Sequence, residues 1–215
     1  MYRFIGKDLP TDQPAAKAAG SLPFCRDIRL PGMLYLKLIL SPVAHGYVRS
    51  VDVSDAMAVP GVVRILTYED APDRLYSRGK GRITKNAPEQ ERIFNRHVRF
   101  VGDRIGAVLA ETPSAALQAA FLVRMEIDSY PAFLTPRKAM EASGGIPIHE
   151  TDSVIRLPAM GFGSYESAEG EEFVQKTSVE RVSHIAMEPH CAVADYRPGT
   201  GEMTIDEAVA KYGSF

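Results

Sequence analysis

The stretch RFVGDRIGAVLAETPSAALQAAFLVRMEIDSYPAFL, residues 99–134, predicts a complete strand–helix–strand unit. Residues 105–110 form an almost unbroken apolar run, which is typical of a strand covered on both faces. Thr112 is a helix N-cap residue followed by proline, and the alanine-rich sequence after it favours a helix. From Val123 onward apolar and charged residues alternate, which indicates a strand with one solvent-exposed face. A unit of this length can pair its two strands in parallel through a right-handed crossover.

The length and composition are those of an ordinary globular chain. With 215 residues, 45% hydrophobic and 24% charged, it has room for one generous domain, or for one domain and part of another. A net charge of -2 gives no reason to expect nucleic acid or an anionic membrane as a partner. No apolar run approaches the roughly 20 residues that span a bilayer, and the amino terminus lacks the apolar core of a secretion signal. We therefore expect a cytoplasmic protein.

The chain has two cysteines, Cys25 and Cys191, and neither has the CxxC or His/Cys spacing of a metal site. We interpret both as buried, reduced thiols. An iron–sulfur cluster usually needs about four cysteine ligands, so this chain alone cannot hold one.

Before and after the opening unit, the pattern predicts further short elements. The predicted strands before it are residues 23–29, 33–40, 47–53 and 62–67, and a single helical turn begins at Ser54. After it, residues 137–142 predict a short helix.

From residue 145 the composition and the apolar pattern of the sequence change. Residues 146–163 have prolines, glycines and scattered apolar residues without a period, which indicates a linker or a segment lying on another body. Residues 173–182 and 183–194 predict strands, and residues 197–201 predict a hairpin turn with a return strand from residue 202. A hairpin with so little partner strand is marginal by itself, so this part predicts the beginning of a second domain.

The densest polar cluster comprises His184, Glu188 and His190, which share one face if the stretch is extended. Three such groups could bind a metal or perform acid–base chemistry, but same-face neighbours two residues apart supply only part of a converging ligand set. Pro189 within the run also favours a bend or an edge strand. We therefore favour a pocket-lining or domain-interface role for these three residues, with no catalytic, cofactor-binding or metal-binding residue assigned.

Two other features have an ordinary interpretation and a functional one. His45 follows a predicted strand on a loop, where a histidine is usually solvated or caps a turn. The basic stretch 77–86 has Arg78, Lys80, Arg82 and Lys85 with two glycines, but it lacks the spacing of a phosphate-binding loop. A solvated loop is the favoured interpretation, and a contact surface for a partner is the alternative.

Several short sequence motifs occur in the order in which the molybdenum hydroxylases have them, and they make the sequence resemble the large subunit of that family. The family includes xanthine dehydrogenase and aldehyde oxidase. The stretch FVGDRIGAVLAETPSAALQAA is similar to the family's V-G-x-x-[VI]-A-x-V-x-A-E pattern, and residues 184–189 resemble its H-x-x-[ML]-E-P segment. The earlier motifs are Lys17 with Gly20, Asp27 with the segment 30–34, Ser41-Pro42 with Ala44-His45, and Ala56 with the segment 60–62.

The resemblance implies an α+β fold: an α/β-hammerhead domain, with a mixed sheet around a strand–helix–strand core, followed by an incomplete start of the molybdopterin-binding domain. We divide the chain into an N-terminal arm (1–14), the hammerhead domain (15–143), and a linker with the truncated beginning of the molybdopterin-binding domain (144–215). In the family, an electron-poor carbon of a purine, N-heterocycle or aldehyde is hydroxylated with oxygen from water. The complete enzyme is expected to hold molybdenum on molybdopterin, with [2Fe-2S] clusters and FAD on other domains or subunits.

The segments that contact the cofactor in the family do not occur in this sequence. A glutamine loop, a GGGFGGK-like loop and a distant glutamate base should all follow the hairpin at residues 197–201, and they are absent. We therefore expect a truncated product, an excised piece or half of a split gene, which binds no cofactor and is not catalytic alone. The expected partners are the remainder of the subunit and the iron–sulfur and flavin subunits, and a homo-oligomer is left open. The alternative function is a free-standing protein-interaction module with a basic loop at residues 78–85.

Overall fold

The computed structural model describes residues 5–6, 8, 13–77, 89–141, 147–148, 173–180, 182, 185 and 190–207. The chain forms two compact units, one of Gly32–Ser164 and one of Met1–Pro31 with Tyr165–Phe215. The elements of the first unit are β1 (Tyr35–Leu40), β2 (Gly46–Asp52), α1 (Ser54–Met57), β3 (Val62–Thr67), β4 (His97–Val98), β5 (Arg104–Ala110), α2 (Pro113–Leu122), β6 (Arg124–Ser129) and α3 (Pro136–Glu141). These bounds confirm most of the elements that the sequence predicts for this unit.

The described residues of the first unit form two three-stranded sheets, with strand orders β1-β5-β3 and β4-β2-β6. The strand pairs in both sheets are antiparallel. The predicted parallel pairing of β5 with β6 is therefore wrong, although the strand–helix–strand order is confirmed. Both edges of β5 are occupied by β1 and β3, so the chain that leaves α2 joins β2 in the other sheet.

Helix α2 begins as the sequence predicts and packs through small side chains. Thr112 Oγ1 accepts a hydrogen bond from the backbone N–H of Ala115 at 3.2 Å, and proline occupies the first turn. The helix contacts the apolar core of the first sheet through its buried alanines, Ala115, Ala116 and Ala119. The core residues of the sheet include Ile39, Ile65 and Val108. Small residues at these positions allow the helix to approach the sheet closely.

A side chain at Gly106, in the centre of β5, would clash with the neighbouring strand. A Cβ atom there would lie 2.3 Å from the backbone oxygen of Leu66 on β3. Because the clash is with backbone and both neighbouring strands are hydrogen-bonded, the strand cannot move aside without breaking the ladder.

In the second unit the described residues form a hairpin and two short helices. The hairpin is β7 (Ala192–Arg197) with β8 (Glu202–Glu207), paired from Ala192↔Glu207 to Arg197↔Glu202, and the predicted turn between them is confirmed. The helices are an α-helix at Pro14–Ala18 and a 3-10 helix at Cys25–Asp27. For residues 173–180 and 182 the structure has no strand, so the strand predicted there is wrong for the described positions. Of the strand predicted at 183–194, the described residues Ile185, His190 and Cys191 are not in a strand, and β7 begins at Ala192.

The strand predicted at residues 23–29 is also wrong, because local hydrogen bonds favour a turn of 3-10 helix. The Asp27 side chain accepts from the backbone N–H of Phe24 at 3.0 Å, and the Asp27 N–H donates to the Phe24 carbonyl at 2.9 Å. Cys25 within this turn and Cys191 form no disulfide, and both are only half-buried, which corrects the expectation of buried thiols.

Candidate functional site

The sequence-predicted cluster falls mostly outside the described residues. His184 and Glu188 are not among them, and His190 is an exposed residue just before β7. The basic loop at residues 78–85 also lies outside the described residues. The pocket-lining or interface role of the three residues and the contact role of the basic loop therefore stay predictions.

Instead, the structure brings together two histidines that lie far apart in the sequence. His45 Nε2 lies 2.9 Å from His97 Nε2, and the two ring centroids are 5.1 Å apart. His45 Nδ1 lies 3.0 Å from the carbonyl oxygen of Pro131, and the Tyr130 ring stands edge-on to the His45 ring at 5.3 Å. His45 is 2% exposed, so the expectation of a solvated or capping loop histidine is wrong.

Backbone pairing at the start of β2 places these two rings together. Gly46 pairs with Val98 on β4 and with Ser129 on β6, so His45 precedes a strand that is held on both edges. A Cβ atom on Gly46 would lie 2.5 Å from the Asp128 backbone oxygen, so only glycine permits this approach. The pairing of β2 with β4 then brings His97 next to the buried ring of His45.

The segment that leads to β4 is held by a buried carboxylate. Asp103 is 2% exposed and accepts hydrogen bonds from Asn95 Nδ2 at 2.8 Å and from the backbone N–H groups of Arg104 at 2.9 Å and Arg99 at 3.1 Å. Gly102 has a φ of 91°, which allows the chain to bend sharply before β5. The Gly-Asp pair therefore connects the start of β5 to the segment that positions His97.

A groove of about 400 Å³ lies beside the histidine pair, and His97 is part of its lining. Its walls include Tyr47 of β2 and Tyr68, and the Arg96 guanidinium carbon lies over both rings, 4.9 Å and 5.2 Å from their centroids. Arg96 Nε donates to the Val48 carbonyl at 3.1 Å. Cation–π contact and this hydrogen bond hold the guanidinium in one position.

The turn that carries Tyr68 is fixed by Asp70. The carboxylate of Asp70 accepts from the backbone N–H of Thr67 at 2.9 Å and pairs with Arg64 at 3.5 Å. The Thr67 N–H is the main cause that holds the pKa of the Asp70 carboxyl below its ordinary value, with partial burial opposing it and Arg64 assisting it. In the same way, the Ser54 backbone N–H holds the pKa of Asp52 low at the start of α1.

Among the described residues the structure shows no ligand set for a metal ion. Within these ranges no three His, Cys, Asp or Glu side chains converge. The buried polar side chains found there, Ser41, His45, Asn95 and Asp103, all make hydrogen bonds within the chain. No helix in the described part of the chain is long and apolar enough to cross a bilayer.

Comparison with known proteins identifies the family of the chain. The family model described as "Aldehyde oxidase and xanthine dehydrogenase, a/b hammerhead domain" matches residues 19–131, which include β1 to β6 and α2. The chain belongs to the aldehyde oxidase and xanthine dehydrogenase family. The α+β hammerhead fold and the family resemblance of the sequence are thereby confirmed, and the family is one of molybdenum-dependent oxidoreductases.

Relatives show how much of a family subunit the chain represents. The xanthine dehydrogenase molybdenum-binding subunit of Escherichia coli O157:H7 is 33% identical over 155 residues, which are 70% of this chain and 20% of that protein. The nicotinate dehydrogenase large molybdopterin subunit of Eubacterium barkeri is 27% identical over 207 residues, 95% of this chain and 47% of that protein. The chain therefore spans about a fifth of the Escherichia coli relative and about half of the Eubacterium relative.

A solved family structure has the same fold. The aldehyde oxidoreductase from Desulfovibrio desulfuricans aligns with a TM-score of 0.59 at 26% identity, covering 67% of this chain and 17% of that one.

Sequence reasoning missed His97 and Arg96 in this hammerhead domain, because no local pattern distinguishes NRHV from other polar positions. The two residues become notable only where β4 meets β2.

Proposed function

We propose that this chain is the hammerhead portion of the molybdenum-binding subunit of a molybdenum hydroxylase and is not catalytic by itself. The complete enzyme then hydroxylates a purine, N-heterocycle or aldehyde with oxygen drawn from water. Molybdopterin with molybdenum is held by the remainder of the subunit, and [2Fe-2S] clusters and FAD by other domains or subunits. The observation that carries this proposal is the family match over residues 19–131, which contains both sheets of the first unit, in a chain that spans about a fifth of the length of the Escherichia coli relative.

An exposed apolar sheet face supports a role in packing against the rest of the subunit. Leu36 lies opposite Leu109 in the β1–β5 ladder, and Leu38 and Leu66 lie on either side of Ala107, so all five side chains share one face. Helix α2 packs with the buried set that contains Ile39, Ile65 and Val108, whose register places it on the opposite face. Leu36 is 57% and Leu38 37% exposed, which is unusual for neighbouring leucines on one sheet face.

The proposal divides the chain into three segments. Residues 1–14 are an arm, residues 15–143 the hammerhead domain, and residues 144–215 the linker and beginning of the molybdopterin-binding domain. Within that last segment His184, Glu188 and His190 line a pocket or the interface between domains. The chain acts in the cytoplasm with the remainder of the subunit and the iron–sulfur and flavin subunits as its partners.

Metal analysis and activity assays of the purified chain test this function directly. We expect no stoichiometric molybdenum and no oxidation of xanthine, an N-heterocycle or an aldehyde. Stoichiometric molybdenum with turnover would contradict the proposal that the chain is not catalytic alone.

Assembly with the rest of a family subunit tests whether the apolar sheet face packs against it. Co-expression of the chain with the cofactor-binding part of a family subunit should give a stable complex, and the double change Leu36→Lys, Leu38→Lys should prevent its isolation. Phe121→Lys is the matched control, because Phe121 is an apolar side chain that is 81% exposed on α2, away from this face. Equal loss of the complex in both variants would contradict a specific role of the leucine face.

A further inference from the structure

Arg96 is a cation held in one place with part of its donor set uncommitted. Its guanidinium carbon lies over the Tyr47 and Tyr68 rings, and its Nε is bound to the Val48 carbonyl. In the part of the chain that the structure describes, Nη1 and Nη2 of Arg96 make no hydrogen bond, and the residue is exposed along the groove. A guanidinium that is already immobilised loses little rotamer entropy when it binds a ligand.

The charges and the walls of the groove point to one chemical class of ligand. Its lining contains three arginines, Arg92, Arg96 and Arg99, and one aspartate, Asp73. Arg92 Nε donates to Asp73 at 2.7 Å, and Arg99 donates to the backbone carbonyls of Ile148 at 2.6 Å and Gln90 at 3.0 Å, so the ligand contact falls to Arg96. The aromatic residues in the lining are Tyr47, Tyr68, Phe94 and His97. The volume of about 400 Å³ lies within the range of small-molecule sites, which combine apolar walls with a few placed polar groups.

We propose that this groove is a binding site for a small organic oxyanion, a carboxylate or phosphate carried on a planar apolar body. The two Nη groups of Arg96 donate to the oxyanion, since the guanidinium fork matches carboxylate and phosphate oxygens in pairs. The tyrosine and phenylalanine side chains contact the planar body. This site is separate from the hydroxylation that is proposed for the complete enzyme, and it requires no metal or cofactor.

Titration of the full chain with three matched probes tests the site. Benzoate and phenyl phosphate supply the oxyanion with a ring, and benzamide supplies the same ring without a charge. We expect saturable binding of benzoate or phenyl phosphate by calorimetry, with amide-signal changes at Tyr47, Tyr68 and Arg96 in NMR spectra, and no saturation by benzamide at the same concentrations. Whichever of the two anions binds more tightly identifies the group that the groove accepts.

Substitution of Arg96 tests its role. Arg96→Gln should weaken binding of the anion by at least about tenfold, which is the loss expected for one charge-assisted hydrogen bond. Arg49→Gln is the control, because Arg49 is an exposed arginine of β2 that pairs with Asp128 and is not part of the groove lining. If Arg96→Gln does not fold, Arg96→Lys decides, because lysine keeps the charge but loses the fork and should also weaken binding.

Three results would overturn the proposal. Benzamide that binds as tightly as benzoate would show that the ring alone is recognised. Equal affinity in wild type and in the folded Arg96 variant, or equal losses in the Arg96 and Arg49 variants, would remove Arg96 from the site. Absence of saturable binding of both anions to the wild-type chain up to about 10 mM would exclude a site of this class, since even a millimolar dissociation constant corresponds to only about 4 kcal/mol.

Discussion

His45 Nε2 and His97 Nε2 share a hydrogen bond of 2.9 Å in the interior of the hammerhead unit. Because a carbonyl can only accept, the contact of His45 Nδ1 with Pro131 O at 3.0 Å requires a hydrogen on Nδ1. A single proton then lies between the two Nε2 atoms, and the bond breaks if both nitrogens carry one. The pair connects the beginning of β2, the short strand β4 and the chain after β6.

The first prediction concerns the tautomer of His45. We expect neutral His45 to carry its proton on Nδ1, with Nε2 accepting from His97, because the Pro131 carbonyl offers no proton. Long-range ¹⁵N–¹H NMR spectra of the imidazole rings at neutral pH distinguish the two tautomers directly. A neutral His45 with its proton on Nε2 and a bare Nδ1 would contradict the geometry. The exposed His190 supplies a reference signal in the same spectrum.

The second prediction concerns the stability that the pair supplies. His45→Leu leaves the Pro131 carbonyl and the His97 ring without this partner, so the free energy of unfolding should fall by about 2–4 kcal/mol. Urea denaturation of the full chain measures it. His190→Leu is the control and should change the unfolding free energy by less than about 0.5 kcal/mol, because His190 is exposed. Equal effects of the two substitutions would contradict a structural role for the pair.

The third prediction tests the close approach of β3 to β5. Gly106→Ala places a methyl group 2.3 Å from Leu66 O, and relief of this clash disrupts the ladder, so we expect a loss of about 2–4 kcal/mol in unfolding free energy. Gly199→Ala, where an added Cβ has no atom within 4 Å, should be tolerated. Thermal or urea unfolding of both variants gives the comparison. A Gly106 variant as stable as the wild type would mean that the strands are farther apart than described.

The fourth prediction is a pH dependence at Asp70. Its pKa lies below the ordinary value of 3.8 because the Thr67 N–H and Arg64 favour the carboxylate. A lowered folded-state pKa gives a stabilisation that is complete above the unfolded-state pKa and is lost as the pH falls through the folded-state value. Asp70→Asn should therefore be less stable than wild type by about 0.5–1 kcal/mol above pH 5, and the difference should shrink below pH 3.8. A difference that grows as the pH falls would have the wrong sign.

Elements with strong local signals could be predicted from the sequence. Thr112 and Pro113 define the start of α2, the apolar run at 105–110 defines β5, and the glycines at 199 and 201 accompany the hairpin turn. The 3-10 helix at Cys25–Asp27 could not be predicted, because side-chain capping by Asp27 competes with the weak strand preference of residues 23–29. The sheet to which each strand belongs could not be predicted either, because the alternation in β6 indicates which face is exposed to solvent but not which strand pairs with it.

The candidate site depended on contacts that no local pattern encodes. His45 and His97 are 52 residues apart, and nothing in either neighbourhood indicates the other. Arg96 has the sequence context of an ordinary surface arginine, and only the approach of Tyr47 on β2 and of Tyr68 in the turn after β3 places its guanidinium over two rings.

The sequence by itself determined the family, the strand–helix–strand order and most element boundaries, because caps, turns and apolar periodicity act within a few residues. Only the tertiary structure decided that β5 and β6 enter different sheets, that His45 is buried against His97, and that Arg96 lines a groove. Those features follow from which strand edges remain unoccupied when the chain folds, and edge occupancy is a property of the whole assembly of strands. β5 lies between β1 and β3, and β6 pairs with the edge of β2 that β4 leaves unoccupied.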